Sequence, residues 1–332
     1  MAASIHLKQF PGLMSQKTVL YVHGFASSGQ SGTVALLRQL MPAANVIAPD
    51  LPVRPAEAMA LLHEICDAEH PSLIMGTSMG GMYTEQLAGY DRICVNPALE
   101  MADTMKAHGM IGTQHFQNPR KDGIQEFIVT KALVKEYREQ TEKRFMHVDE
   151  AERQRVYGLF GDEDTTVDCR ALFQGYYPNA IPFHGEHRLN DSSLLHSVIP
   201  VIRWIDDEQE HRQRPVVYIG TETMADGYGK PASSVQKAVR QLVENYQVFF
   251  VAPAKSSVQE EYAQTTEWLT EYVGVPAWGH TIFTNRRDLL YGDYFVSSQG
   301  DTETMATLLH YGSSKFKTWE EIIEYFQLLG GQ

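Results

Sequence analysis

Ser72-Leu73-Ile74-Met75-Gly76-Thr77-Ser78-Met79-Gly80 is the stretch that decides the fold of this chain. A short apolar run leads into a serine held between two glycines. That is the pattern of a strand that turns sharply into a helix, with a hydroxyl at the apex. A Cβ at either glycine would clash in so tight a turn. Further runs of strand character flank it: Val19–His23, Asn45–Ala48, Arg92–Asn96, Val156–Phe160 and Ala180–Phe183. They are continuous apolar runs rather than alternating ones, which predicts strands buried on both faces of a parallel sheet. The segments between them, such as Ser31–Leu40 and Pro55–Ala68, are long enough for crossover helices. A doubly wound α/β domain follows.

The chain has 332 residues, 43% hydrophobic and 21% charged, enough for two ordinary domains with real cores. No apolar run approaches the roughly 20 residues of a membrane span. Met1–Lys8 lacks the long apolar core of a secretory signal, so the expected location is the cytoplasm. Cys66, Cys94 and Cys169 are widely spaced, with no CxxC or Cys/His pairing. Free thiols are expected rather than a disulfide framework or a zinc site, and no metal or cofactor is called for. Net charge is −13, divided as −8 over residues 1–213 and −5 over 214–332. Neither part carries the basic stripe that would mark nucleic acid or anionic lipid as a partner. The expected partner is a small molecule, with homo-oligomerisation left open.

The sharpest break in composition is Ile205–Pro215, a charged helix tail ending at a proline. Beyond it a second α/β unit is expected. Its strands are Val216–Ile219, Val248–Val251 and one near Tyr294–Val296. Its helices are Ser234–Asn245, Val258–Tyr272 and Trp319–Leu329. The expected organisation is a first domain over 1–207 with an insertion at about 101–150, a linker over 208–214, and a second domain over 215–332.

Acyl transfer by serine needs an exposed nucleophile, a histidine base, an acid to orient it, and donors for the oxyanion. In the α/β-hydrolase arrangement the order is Ser, Asp, His. Ser78 is the candidate nucleophile. The acid belongs just after the strand ending at Phe160, where Gly161-Asp162-Glu163-Asp164 offers Asp164, with Asp162 as the alternative. Asp168 reads as the N-cap of a helix over Asp168–Tyr176. The base belongs after the last strand, in Phe183-His184-Gly185-Glu186-His187. His187 lies past the glycine turn, whereas His184 is still in strand context and reads as structural. The oxyanion donors are the backbone amides of Met79 and of Phe25 in the His23-Gly24-Phe25 loop, with His23 itself structural.

The motifs Leu20–Ser28, Gly76–Gly81, Val95-Asn96-Pro97-Ala98 and Gly185-Glu186-His187 make residues 18–205 resemble the YqiA/YcfP family of small α/β-hydrolase esterases. The resemblance implies carboxylesterase activity, with acyl thioesters as a second substrate class. Carried over, it points to the same Ser78, Asp164 and His187. The turn at the acid is longer and more acidic here, which keeps Asp162 in play.

Between Ala98 and Val156 the sequence has helical character, and Ile124, Phe127, Ile128, Leu133, Val134 and Tyr137 can form one apolar face. Two readings stand: a lid over Ser78, or a stripe packed on the core. Lys131, Lys135 and Arg138 either meet an anionic group or form a solvated face.

Residues 215–328 weakly resemble the haloacid-dehalogenase superfamily, closest to its C-type 5′-nucleotidases, on Tyr291–Ser298, Tyr311-Gly312-Ser313 and Trp319–Ile322. The resemblance implies a Rossmann-like fold whose enzymes use an aspartate nucleophile, a second aspartate two residues on, and further acids for Mg²⁺. Here those positions hold Gly220, Glu222, Ser297 and Ser298. The threonine position falls near Pro253 or Ala254, and Arg286 or Arg287 stands for the lysine. Glycine carries no nucleophile, so this domain is expected to be non-catalytic, serving binding, regulation or assembly. A two-domain scaffold without enzymatic activity is the competing reading, and a nucleotide phosphohydrolase is the weaker one.

Overall fold

The computed structural model describes residues 9–254, 259–300 and 303–330. The chain divides into two compact units, at Asp206 and Asp207.

In the first unit β1 (Thr18–Val22), β2 (Asn45–Ile47), β3 (Leu73–Thr77) and β4 (Arg92–Val95) come first. An antiparallel hairpin follows, β5 (Gly112–His115) with β6 (Glu126–Val129), and then β7 (Val156–Gly161) and β8 (Asn179–Phe183). Six of these form one parallel sheet in the order β2-β1-β3-β4-β7-β8. Val19 to Val22 and Leu73 to Met75 are all buried, as continuous apolar strands between two helical layers should be. The helix Gly32–Leu40 buries Val34, Leu37 and Leu40, and Pro55–Glu69 buries Ala58, Leu62 and Cys66, each set on one helical face. Burying one such leucine contributes roughly 1.5–3 kcal/mol. Pro55 opens its helix at the position where a missing N–H costs nothing. Sequence order runs outward from β1 on one side and β3 on the other, so the loops after these two strands open a crevice at the carboxyl edge.

The insertion differs from its helical expectation. Helices Met101–Ala107, Lys131–Thr141 and Glu150–Arg155 are present, but the β5–β6 hairpin lies between the first two. Glu126-Phe127-Ile128-Val129 is rich in aromatic and β-branched residues, which suit a strand. The next helix starts only where the Thr130 hydroxyl caps it, accepting from the Leu133 amide at 3.1 Å. The expected apolar face therefore splits. Leu133, Val134 and Tyr137 belong to the main core, packed with Met79, Met82 and Leu62. Phe127 is half-buried, while Ile124 and Ile128 are exposed. Lys135 pairs with Glu139 and Arg138 with Asp103, both on a solvated face.

The second unit holds β9 (Val216–Gly220), β10 (Gln247–Ala252), β11 (Thr281–Phe283), β12 (Tyr294–Ser297) and β13 (Thr307–His310). They form a parallel sheet in the order β11-β10-β9-β12-β13. Helices Ser233–Asn245, Gln259–Tyr272 and Trp319–Leu328 accompany it. Val258, the expected first residue of the second of these, lies outside the described residues. β11 and β13 are additions to the expected strands; each holds only two apolar residues in a row, Ile282-Phe283 and Leu308-Leu309. The helix Ile199–Gln209 continues into the stretch expected to be linker. Within it, Asp207 accepts from Arg212 and Arg214, which lie past its end.

Candidate active site

Ser78 follows β3 directly, at φ 55° and ψ −119°, and begins the helix Met79–Glu85. Such a backbone costs an L-residue on the order of 1–3 kcal/mol and persists only when its surroundings fix it. The neighbours do so. A Cβ on Gly76 would come within 2.2 Å of the Thr84 hydroxyl, and one on Gly80 within 2.1 Å of the Val22 carbonyl oxygen. The Ser78 amide donates to the Val95 carbonyl at 2.9 Å, and its own carbonyl accepts from the Ala98 amide at 3.0 Å.

His187 Nε2 lies 3.0 Å from Ser78 Oγ, and His187 Nδ1 lies 2.7 Å from Asp164 Oδ2. The Asp164 side chain is only 3% exposed. Its other oxygen accepts from the Thr166 and Val167 amides at 2.7 and 3.1 Å, a turn that aims the carboxylate. With an ionised Asp164 accepting from Nδ1–H, Nε2 presents a lone pair to the serine hydroxyl. The same turn delays the following helix. It spans Arg170–Gln174 with Cys169 at the cap position, so Asp168 is not the cap that the sequence suggested.

The alternative acid is placed elsewhere. Asp162 accepts from the Gly185 amide at 3.0 Å and faces the exposed His184, whose Nδ1 is 3.3 Å away. It stiffens the β7 and β8 ends and does not reach His187.

Asn96, at φ 43° after β4, ties the parts together. Its Nδ2 donates to the Glu186 and His187 carbonyls at 3.0 and 3.1 Å, and its Oδ1 accepts from the Gly161 amide at 2.7 Å. The base loop and the acid strand are thus pinned by one side chain. Sequence reasoning did not single it out. The available signal was an asparagine tolerant of positive φ, set between a strand and a proline.

On the other side of the crevice, Gly24 lies so close to Ser78 that a Cβ there would be 3.3 Å from the serine Cβ. The Phe25 amide donates to no acceptor among the described residues, and Met79 is the first residue of its helix, where an N–H has no intrahelical acceptor. His23 is buried and structural. Its Nε2 accepts from the Leu51 amide at 3.1 Å, so Nδ1–H donates to the Gly24 carbonyl at 2.8 Å. Burial pushes its pKa down to about 4. Ser78 and His187 open into a cavity of about 1240 Å³ whose wall mixes Met101, Met110 and Leu36 with Gln114, Gln117 and Asn118.

In the second unit the candidate residues form a different cluster. The Glu222 carboxylate turns back over Gly220, so close that a Cβ on Gly220 would be 2.4 Å from Glu222 Oε1. Arg287 donates to both Glu222 oxygens at 3.1 and 3.2 Å and to Ser297 Oγ at 2.9 Å. Ser297 in turn donates to Glu222 at 3.0 Å. Ser298 is exposed and outside this cluster, and Arg286 pairs with Asp288 instead. Among the described residues no group of three or more His, Cys, Asp or Glu side chains could hold a metal ion. No described helix is long and apolar enough to cross a membrane.

A model of the Uncharacterised protein family (UPF0227) matches residues 18–194, more than half of the chain. The chain belongs to this family. It is the YqiA/YcfP-like family that the motifs of the first unit pointed to, and the match stops short of the second unit. Among solved structures, Est1E from Butyrivibrio proteoclasticus is similar at 15% identity and a TM-score of 0.41, over 60% of this chain and 90% of that one. One of the metagenome-derived lipolytic enzymes LipS and LipT is similar at 18% identity and a TM-score of 0.40, over 60% and 98%. The thioesterase domain from the curacin biosynthetic pathway reaches 14% and 0.33, over 59% and 92%. Likenesses this remote bear on neither substrate nor chemistry.

Proposed function

We propose that the chain is a serine hydrolase of carboxylic esters or acyl thioesters, working through an acyl-enzyme on Ser78. The observation that carries this reading is the hydrogen-bonded chain Ser78–His187–Asp164 at a strained elbow. Ser78 Oγ attacks the acyl carbon as its proton passes to His187 Nε2. Asp164 holds the ring and stabilises the imidazolium that forms. The tetrahedral oxyanion is met by the Phe25 and Met79 amides, donors of a kind typically worth ~3–4 kcal/mol each. Collapse expels the alcohol or thiol, which takes the proton from Nε2. Water, deprotonated by the same nitrogen, then releases the acid and restores the serine.

The mixed lining of the cavity supports an acyl substrate with polar as well as apolar contacts. For the second unit the reading is a haloacid-dehalogenase-like domain without chemistry of its own, serving structure or assembly. Support comes from Glu222, which fills the space a nucleophile at Gly220 would need and is neutralised there by Arg287.

The test is a fluorophosphonate probe together with a panel of chromogenic esters and acyl-CoAs of graded length. Labelling of Ser78 and turnover lost in Ser78→Ala are expected. Folded protein that neither labels nor turns over would leave the scaffold reading. Magnesium-dependent phosphate release from nucleotides would overturn the account of the second unit.

A further inference from the structure

Phe25 sits in a strained loop whose own turn bond, from the Ser27 amide to the Gly24 carbonyl at 3.2 Å, leaves the Ala26 carbonyl to an outside partner. Ala26, next in sequence, has φ 55°, a left-handed backbone that an alanine adopts only when held. The holding partner is the insertion. The Gln117 amide donates to the Ala26 carbonyl at 2.8 Å, Asn118 Nδ2 to Ser27 Oγ at 3.1 Å, and Ser28 Oγ to the Pro119 carbonyl at 2.6 Å. Phe127 of the hairpin packs edge-on against Phe25 at 5.3 Å and carries Phe116 on its other side at 4.7 Å. One side chain from outside both segments closes the seam. Asp50, in the loop after β2, accepts from the Gly29 amide at 2.8 Å with Oδ1 and from the Lys121 amide at 2.6 Å with Oδ2. Gly29 packs against the β2 end with no room for a side chain, since a Cβ there would be 2.1 Å from the Ala48 carbonyl oxygen.

We infer that Asp50 is a positioning residue: its carboxylate joins the Phe25 loop to the insertion and so fixes the Phe25 amide opposite Ser78. This rests on the ester-hydrolase reading above. It also changes what the insertion does, from a cover over the site to a brace for one of its oxyanion donors. Two separate oxygens are required, because each accepts from a different amide. Asparagine keeps the size but offers one acceptor and turns an NH₂ toward the other N–H.

The experiment compares Asp50→Asn and Asn118→Ala with wild type in the full chain. Sites are counted by fluorophosphonate titration, so that a misfolded fraction does not enter kcat. For Asp50→Asn, kcat per titrated site should fall by about ten- to a hundredfold with KM nearly unchanged, since misplacing one donor costs transition-state rather than ground-state binding. Inhibition by an arylboronic acid, whose tetrahedral adduct places an oxygen at the same amide, should weaken by the same factor. Asn118→Ala removes one seam contact and should show a smaller loss in the same direction. Asp50→Glu, which keeps two acceptors but displaces them, carries the test by the same kcat per site and boronate affinity if Asp50→Asn does not fold. Unchanged kcat per site and unchanged boronate affinity in the folded variants would overturn the inference while leaving the ester-hydrolase reading intact. A wild-type chain that neither labels nor turns over would remove both.

Discussion

Two parallel sheets in one chain each open a crevice where strand order reverses, and the polar groups gathered at the two crevices are arranged differently. In the first unit the crevice lies between β1 and β3, in the second between β9 and β12. At the first, a glycine-lined elbow presents Ser78, and the buried Asp164 carboxylate bonds His187, which bonds the serine hydroxyl. At the second, Gly220 presents no side chain at the strand end, and the Glu222 carboxylate folds inward onto Arg287 and Ser297. Two parallel sheets of different strand order thus hold a hydrogen-bonded Ser–His–Asp row at one switch point and a closed ion pair at the other. What separates them is whether the polar groups at the strand ends leave a partner for substrate.

The widest break in that comparison would come from the first crevice. Ser78→Ala should reduce ester turnover by about 10⁴- to 10⁶-fold, and Asp164→Asn by about 10³- to 10⁴-fold through loss of the ring's orientation. Both are read as kcat/KM on a chromogenic ester at neutral pH, with melting temperature as the check on folding. Residual activity within tenfold of wild type in Ser78→Ala would erase the difference between the two crevices.

The second crevice should respond in stability instead. Glu222→Ala leaves the Arg287 guanidinium, nearly buried and stacked near Phe295, without its carboxylate. Removing one member of a fully buried pair costs about 3 kcal/mol or more, and because the Glu222 side chain is 26% exposed the loss here should be smaller, about 1–3 kcal/mol. Denaturant unfolding of the full chain should show the transition of the second unit shifted to lower concentration, with ester turnover per mole unchanged. A variant as stable as wild type would mean that the closed ion pair holds nothing together.

How much of this was legible in the sequence follows from range. The strands of the first sheet were, because burial on both faces leaves continuous apolar runs such as Val19–Val22. Ser78, Asp164 and His187 were also placed together, since each is fixed by a local turn whose residue types are visible: glycines at the elbow, an aspartate bonding amides two and three residues on, a glycine before the histidine. Asn96 and Asp50 were not. Asn96 acts on residues 65 and 90 or 91 positions away, and Asp50 on amides 21 and 71 away. The strand-Asn-Pro pattern marks the turn at Asn96 but not the distant groups it ties, and no local pattern marks Asp50. The hairpin was missed because Phe127 and Ile128 fit a helical apolar face as readily as a strand. The inward turn of Glu222 was hidden because a missing side chain at Gly220 does not announce what fills its space.

Acid tests the first crevice in a different way. Burial holds the His23 pKa at about 4 against 6.5 in an exposed histidine. Well above pH 6.5 the ring is neutral in folded and unfolded chains alike, and its contribution to stability is complete. Below that, the unfolded chain binds a proton that the native one refuses, so stability falls with pH until the native ring protonates near pH 4. The loss attributable to this ring is on the order of 3 kcal/mol. His23→Gln, which can still accept from the Leu51 amide, should lose less stability between pH 7 and about pH 4 than wild type does. Parallel pH profiles of the first unit's unfolding would show that His23 is solvated rather than locked beneath the Phe25 loop.

The smallest expected effect is also the finest test of how the acid is chosen. Asp162 and Asp164 stand two residues apart, yet Asp162 bonds the Gly185 amide and the exposed His184, while Asp164 is shut away against His187. Asp162→Asn keeps an oxygen for the Gly185 amide and loses only an exposed pairing, of a kind worth about 0.2–1 kcal/mol or nothing measurable. Turnover within about twofold of wild type is therefore expected, against the loss of several orders of magnitude for Asp164→Asn. If the two variants lost activity equally, the carboxylates would be sharing the task of orienting His187, and the turn that aims Asp164 through the Thr166 and Val167 amides would not be what selects it.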